Sequence, residues 1–481
     1  MRRRALGDRT AAAAAGAAAA GFLAAGLLLP AAADAHGLVG RADLPIPDWL
    51  FAYAAAIVLG VSFAALAALW REPRFEHPTA RRLVRIPRVV DFACGVLGIA
   101  MFAAVVYAGF AGSAVPTANL APTSVYVIFW VGLVVLSVLF GDVFRAFNPW
   151  RSLAAFVAWA ARGRRLWRAR EYPARLGRWP AAAGILCFAW LELAYPPTER
   201  TDPSQLALIA VIYACVQLVG MALYGVEAWS GRGDAFGVYF GMFARLSVWD
   251  RGEDGSLRLR APLSGAPRWD GSVPGSVALL CVAIGSTSFD GFSNGPAWAD
   301  LSPHLQSLFG DLGAGQELAL ELASTVGLLV FVGLVTGFYR LGIAGVKTVG
   351  RDHSTGDLLG RFAHTLIPIA FAYAVAHYFS LLIYQSQAIG YLISDPLGDG
   401  SNIFGSAGRG IDYNVISGNG IWYVQVGALV CGHVAGLILA HDRALATYRE
   451  PGEATRSQYW MLVVMVGFTS LGLWLLSAVS R

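Results

Sequence analysis

The chain has 481 residues, 56% of them hydrophobic and only 14% charged, with a mean hydropathy of +0.55. That excludes an ordinary soluble domain, in which charged residues make up about 25%. The net charge of +5 does not mark a nucleic-acid binder, because the basic residues, all arginine except Lys347, lie in short loops beside apolar segments.

At the start of the chain, Arg2, Arg3 and Arg4 form a positive n-region and an Ala/Leu run reaches Leu29. Ala33-Asp34-Ala35 then supplies a small-residue cleavage site, so residues 1–35 read as a signal peptide. Cleavage leaves His36 as the first residue, outside the cytoplasm, where an amine and an imidazole together form a known copper-binding arrangement. Left uncleaved, the segment becomes an eleventh span.

Residues 36–481 read as a single integral membrane domain. Ten apolar segments follow, near 49–70, 90–112, 123–143, 180–196, 205–227, 274–289, 317–338, 362–385, 421–440 and 458–478. About 20 apolar residues suffice to cross a bilayer as a helix. Every second loop is rich in arginine: Arg71 to Arg88, Arg145 to Arg178, Arg232 to Arg268, Arg340 to Arg361 and Arg443 to Arg456. Retention of positive charge in the cytoplasm orients every span. The expected fold class is therefore all-α, a polytopic inner-membrane bundle of about ten helices with its mature N-terminus outside. The five cysteines, Cys94, Cys187, Cys215, Cys281 and Cys431, fall inside apolar segments without CxxC spacing and read as free thiols.

Two arginine-side segments read as helices lying in the headgroup region. In 235–249, Phe236, Tyr239, Phe240, Phe243 and Leu246 recur at helical spacing; in 153–170, Phe156, Trp159 and Trp167 mix with arginines. Asp142 and Arg145 at i, i+3 are spaced to pair, and with Asn148-Pro149-Trp150-Arg151 they mark a membrane exit. The outer loops 290–316 and 386–420 are long, the second rich in Gly, Asp and Asn, as in functional lids or disordered segments. A substrate site therefore opens outward.

Ionisable residues inside spans are expensive and mark functional sites. Glu192, Asp290, Glu321 and His377 fall at similar depth in the outer half, His433 lies deeper, and these five are the candidate catalytic residues. Glu317, Glu321, Ser324 and Thr325 form a polar stripe, and Tyr373, Ser380 and Tyr384 share a face with His377. Gly432 and Gly436 bracket His433, a small-xxx-small pattern that admits a close helix neighbour. These groups either line a polar cavity or hydrogen-bond between helices and hold the bundle together. Carboxylate plus imidazole suits a divalent metal, zinc or copper, with His377, His433, Glu321 and His36 as candidate ligands. Haem is less favoured: His364 and His377 are about 20 Å apart along a helix but His433 and His441 about 12 Å. Only a single haem between His377 and His433 fits.

The segments AHGLVGRADLPIPDWLF (35–51), FGDVFRAFNPWR (140–151), STSFDGFS (286–293), HTLIPIAFAYAVAHYFSLLIYQ (364–385), WYVQVGALVCGHVAGLILAHDRAL (422–445) and RSQYWMLVVMVGFTSLGLWLL (456–476) resemble a family of multispanning actinobacterial membrane proteins labelled fenitrothion hydrolase. The resemblance implies membrane-bound hydrolysis of the aryl ester bond of an organophosphorothioate. The expected partners are the bilayer, a small-molecule substrate from the outer side and a partner subunit. A transporter using the same acids and histidines, and a copper- or haem-binding subunit, are the alternative readings.

Overall fold

The computed structural model describes residues 48–76, 79–160, 169–252, 254–349, 353–448 and 450–478. The signal peptide, His36 and the stretch 161–168 of the second arginine loop lie outside them.

In chain order the main elements are α1 (Asp48–Leu69), β1 (Ala80–Arg85), α2 (Arg88–Ala111) and α3 (Leu120–Phe140), the last with a π-helical stretch at Thr123–Gly132. Next come α4 (Val143–Phe147), α5 (Pro149–Ala160), α6 (Trp179–Leu193), α7 (Pro203–Tyr224), α8 (Val226–Ser230) and α9 (Ala235–Phe243). Strands β2 (Trp249–Arg251) and β3 (Ser256–Arg260) precede α10 (Ser276–Ser293), α11 (Pro296–Asp311) and α12 (Gln316–Lys347). The chain continues through α13 (Thr355–Phe362), α14 (Ile367–Gln385), α15 (Gly418–Thr447) and α16 (Tyr459–Ala478).

Among the described residues, seven helical stretches are long and apolar enough to cross a membrane: α2, α3, α7, α10, α12, the run Thr355–Leu392 that contains α14, and α15. The protein is an all-α, multi-pass membrane protein in contact with the bilayer. The other three expected spans are also helical, as α1, α6 and α16. Helix α6 has 15 residues, a rise of about 22 Å, short for a hydrocarbon core of about 30 Å.

Helix α10 forms the centre. In its most apolar window 67% of residues are buried, against 11% for α2, and it packs on α6, α12 and α14. Its own hydroxyls turn inward: Thr287 donates to Ala283 O at 3.1 Å and Ser288 to Ile284 O at 2.8 Å. Helix α15 packs tightly on α14 and the turn before it at its small-residue positions. A Cβ on Gly432 would sit 2.2 Å from Ala372 Cβ, and one on Gly436 3.0 Å from Thr365 O.

The arginine-rich loops gather at one end. There β1 and β3 pair antiparallel, with β2 on the other edge of β3, in a small sheet that the helical periodicity does not reveal. Arg443 bridges Glu76 at 2.9 Å and Arg251 reaches Asp91 at 2.5 Å. Ser256 and then Arg258 hold the Asp254 carboxyl below the usual range, while burial pushes the Arg260 guanidinium down to about 10. At the opposite end Ser113 N donates to Leu397 O at 2.7 Å and Tyr391 OH to Thr117 O at 3.3 Å.

Three expectations change. The 235–249 segment does not lie against lipid: Phe236, Tyr239, Phe240 and Phe243 are buried in protein, packed on α6 and α3. An aromatic stripe fits either environment, and α9 is pinned inside by its cap, Asp234. Asp142 does not pair with the Arg145 side chain; it caps the Arg145 N–H at 3.1 Å, while the guanidinium joins Arg151 on Glu227. Residues 290–316 are largely helical, because α10 runs on to Ser293 and α11 follows.

Candidate functional site

Asp290, three residues from the end of α10, faces α14. His377 Nε2 lies 2.8 Å from its Oδ2, and Tyr378 OH donates to the same oxygen at 2.8 Å. Asn294, one turn on, brings Nδ2 to 3.3 Å from Oδ1 and donates to the Asp290 carbonyl at 2.8 Å. The carboxylate is thus fixed by groups from two helices. Because an ionised carboxylate only accepts, Nε2 of His377 carries a proton toward it, and in the neutral ring Nδ1 is then the lone-pair nitrogen. A Cβ on Gly291 would lie 3.6 Å from that Nδ1, so the missing side chain keeps the nitrogen uncovered. The pair is half-buried, with 23% of the His377 side chain and 14% of Asp290 accessible.

Glu192, near the end of α6, lies within electrostatic reach of Asp290, Tyr378 and Arg200. Arg200 donates to the Glu192 carbonyl at 2.7 Å, and its own carbonyl accepts from Tyr126 OH at 2.7 Å. Two acids, an imidazole, a phenol and a guanidinium therefore converge where α3, α6, α10 and α14 meet.

The other candidates are placed elsewhere. Glu321 is on α12, where Thr325 donates to its carbonyl at 2.7 Å and accepts from Trp190 at 2.8 Å. His433 is fully buried, its Nδ1 2.7 Å from Leu429 O and its ring beside Tyr373 and Phe468. His441 sits between Gln458 Oε1 and Trp70 O, at 3.2 and 2.9 Å. Among the described residues no group of three or more His, Cys, Asp and Glu is arranged to hold a metal ion. His377 and His433 occupy different surroundings.

Sequence reasoning missed Tyr378, Asn294 and Arg200. A stripe argument groups i, i+3 and i+4, so Tyr378, adjacent to His377, falls off the face; two neighbouring side chains converge on one atom only when the target lies across a helix interface. Asn294 at i+4 from Asp290 was the available signal.

No protein-family model matches the chain, and no curated protein or solved structure matches it either.

Proposed function

We propose that this membrane protein is a hydrolase whose working group is the Asp290–His377 dyad, acting on a small ester that enters from the outer side. The observation that supports this reading is the shared Oδ2, held at 2.8 Å by both His377 Nε2 and Tyr378 OH. A buried acid that fixes one imidazole nitrogen leaves the other to act as a general base. His377 Nδ1 takes a proton from water, the hydroxide attacks the electrophilic phosphorus or carbon, and the proton passes from Nδ1 to the departing aryloxide. Asp290 offsets the imidazolium charge, and Arg200 adds positive potential for the developing anion. The resemblance to the fenitrothion hydrolase family supplies the substrate class, an aryl phosphotriester or its thio analogue.

The test is aryloxide release by the purified protein in lipid nanodiscs. His377→Ala is expected to lower kcat by about 10²–10⁴-fold, the usual worth of a general base. Gly291→Ala places a methyl at ordinary contact distance from Nδ1, so activity falls while stability holds or rises by up to about 1 kcal/mol. Full activity in His377→Ala sinks the dyad.

A second reading rests on Glu192, an intramembrane acid beside Asp290, as in a proton path. It expects proteoliposomes to accumulate an aryl ester intact under a pH gradient, and Glu192→Gln to abolish that uptake. Aryloxide release without uptake rejects it.

A further inference from the structure

A second site lies one turn along α14 and across it, around His433. A cavity of about 60 Å³ is bounded by α12, α14, α15 and α16, with Phe338, Ile369, Met461, Met465 and Phe468 beside His433. Its wall is almost entirely apolar. The hydroxyl protons near it are already committed: Tyr339 donates to Leu359 O, Thr365 to Phe362 O and Tyr373 to Phe468 O. The exception is His433 Nε2, which is buried and has no hydrogen-bond partner.

The free nitrogen has a definite chemistry. Leu429 O can only accept, so in the neutral ring the proton is on Nδ1 and Nε2 presents a lone pair. What belongs there must donate. A buried water needs two to four polar partners; in this wall only Nε2 is unpaired, the Tyr339 and Thr365 hydroxyls being already hydrogen-bonded to backbone. The surrounding faces of α12 and α16 carry exposed Leu334, Leu341 and Val463, the surface expected toward hydrocarbon, so an occupant arrives from the lipid phase.

We propose that this cavity binds the hydroxyl end of a lipid-phase alcohol, an apolar chain with one terminal O–H that donates to His433 Nε2. Apolar fit supplies affinity and the single hydrogen bond supplies discrimination: a methyl ether of the same chain leaves Nε2 buried and unpaired. The site is separate from the Asp290–His377 dyad and does not depend on its role.

The experiment uses the full-length protein in nanodiscs and a photoactivatable hexadecanol carrying a diazirine near the hydroxyl, with cross-links mapped by mass spectrometry. Cross-links are expected on Met461, Met465 or Phe468, competed by hexadecanol about tenfold better than by its methyl ether. His433→Leu should still be labelled but lose that preference, and Met465→Trp, filling the cavity, should lose labelling. Equal competition by alcohol and ether in the wild type, labelling confined to residues outside the cavity wall, or undiminished labelling in Met465→Trp would each overturn the proposal. Because the wild-type competition and the Met465 variant stand alone, a misfolded His433→Leu does not rescue it.

Discussion

Asp234 illustrates how one side chain decides where a helix goes. It is fully buried and accepts from Trp150 Nε1 at 2.7 Å, Asn148 Nδ2 at 2.8 Å, Tyr213 OH at 2.8 Å and the Gly237 N–H at 3.2 Å. Burial pushes its carboxyl upward while these donors oppose the shift. The Asn148-Pro149-Trp150 stretch, legible in the sequence only as a membrane exit, is therefore half of a polar joint between α5 and α9. Removing the acceptor strands several buried donors, each worth about 1–3 kcal/mol when left unpaired. Asp234→Ala should thus destabilise by about 3 kcal/mol or more, against about 1–2 kcal/mol for Tyr213→Phe, which removes one donor to the carboxylate and the acceptor of the long Phe236 N–H bond at 3.3 Å. Thermal unfolding in detergent ranks them; equal losses would mean that the joint is not built on the carboxylate. Asp290 follows the same logic toward the end of the bundle away from the arginine-rich loops, except that one of its partners keeps a nitrogen uncovered.

Among the elements, α14 and α15 rest on what is missing from their contact. With Gly432 Cβ absent, Ala372 Cβ and Pro368 O come where a side chain would be. Such close approach lets helices gain dispersion contacts in a medium where apolar burial alone gives no preference. Gly432→Ala must push the pair apart and should cost about 1–3 kcal/mol, as overpacking does. Gly427→Ala on the same helix meets no atom within 4 Å and should stabilise by up to about 1 kcal/mol. If the two variants melt alike, close packing is not what Gly432 provides. This contact was readable beforehand, because small-xxx-small spacing constrains the partner sterically. The burial of α9 was not: Phe236, Tyr239, Phe240 and Phe243 form the same stripe whether lipid or protein covers them. Nor was the site's membership, since Asp290 and His377 are 87 positions apart and periodicity orders residues along a helix, not between helices. Depth placed the acids and histidines near one another, but only packing separated His433 from His377.

At the scale of the molecule, alternation of arginine along the chain predicts that every second loop lies on one face, and the contacts between those loops agree. The 71–88 and 232–268 loops share a sheet through β1 and β3, and Arg443 of the fifth loop meets Glu76 of the first. On the other end, the 386–420 segment closes over the turn at 113–118. The two ends are distinct whichever way the protein faces; charge retention predicts that the arginine end faces the cytoplasm. Val84, 58% exposed on β1, and Phe404, 70% exposed in the opposite loop, report the two faces. With the five native cysteines replaced by alanine, Phe404→Cys in intact spheroplasts should react with a membrane-impermeant maleimide. Val84→Cys should react only after the membrane is opened. The reverse pattern would invert the orientation and move the Asp290–His377 dyad to the cytoplasmic half. Reaction of both in intact cells would mean that the two loop clusters share one side, the result expected if the short helix α6 does not cross the bilayer.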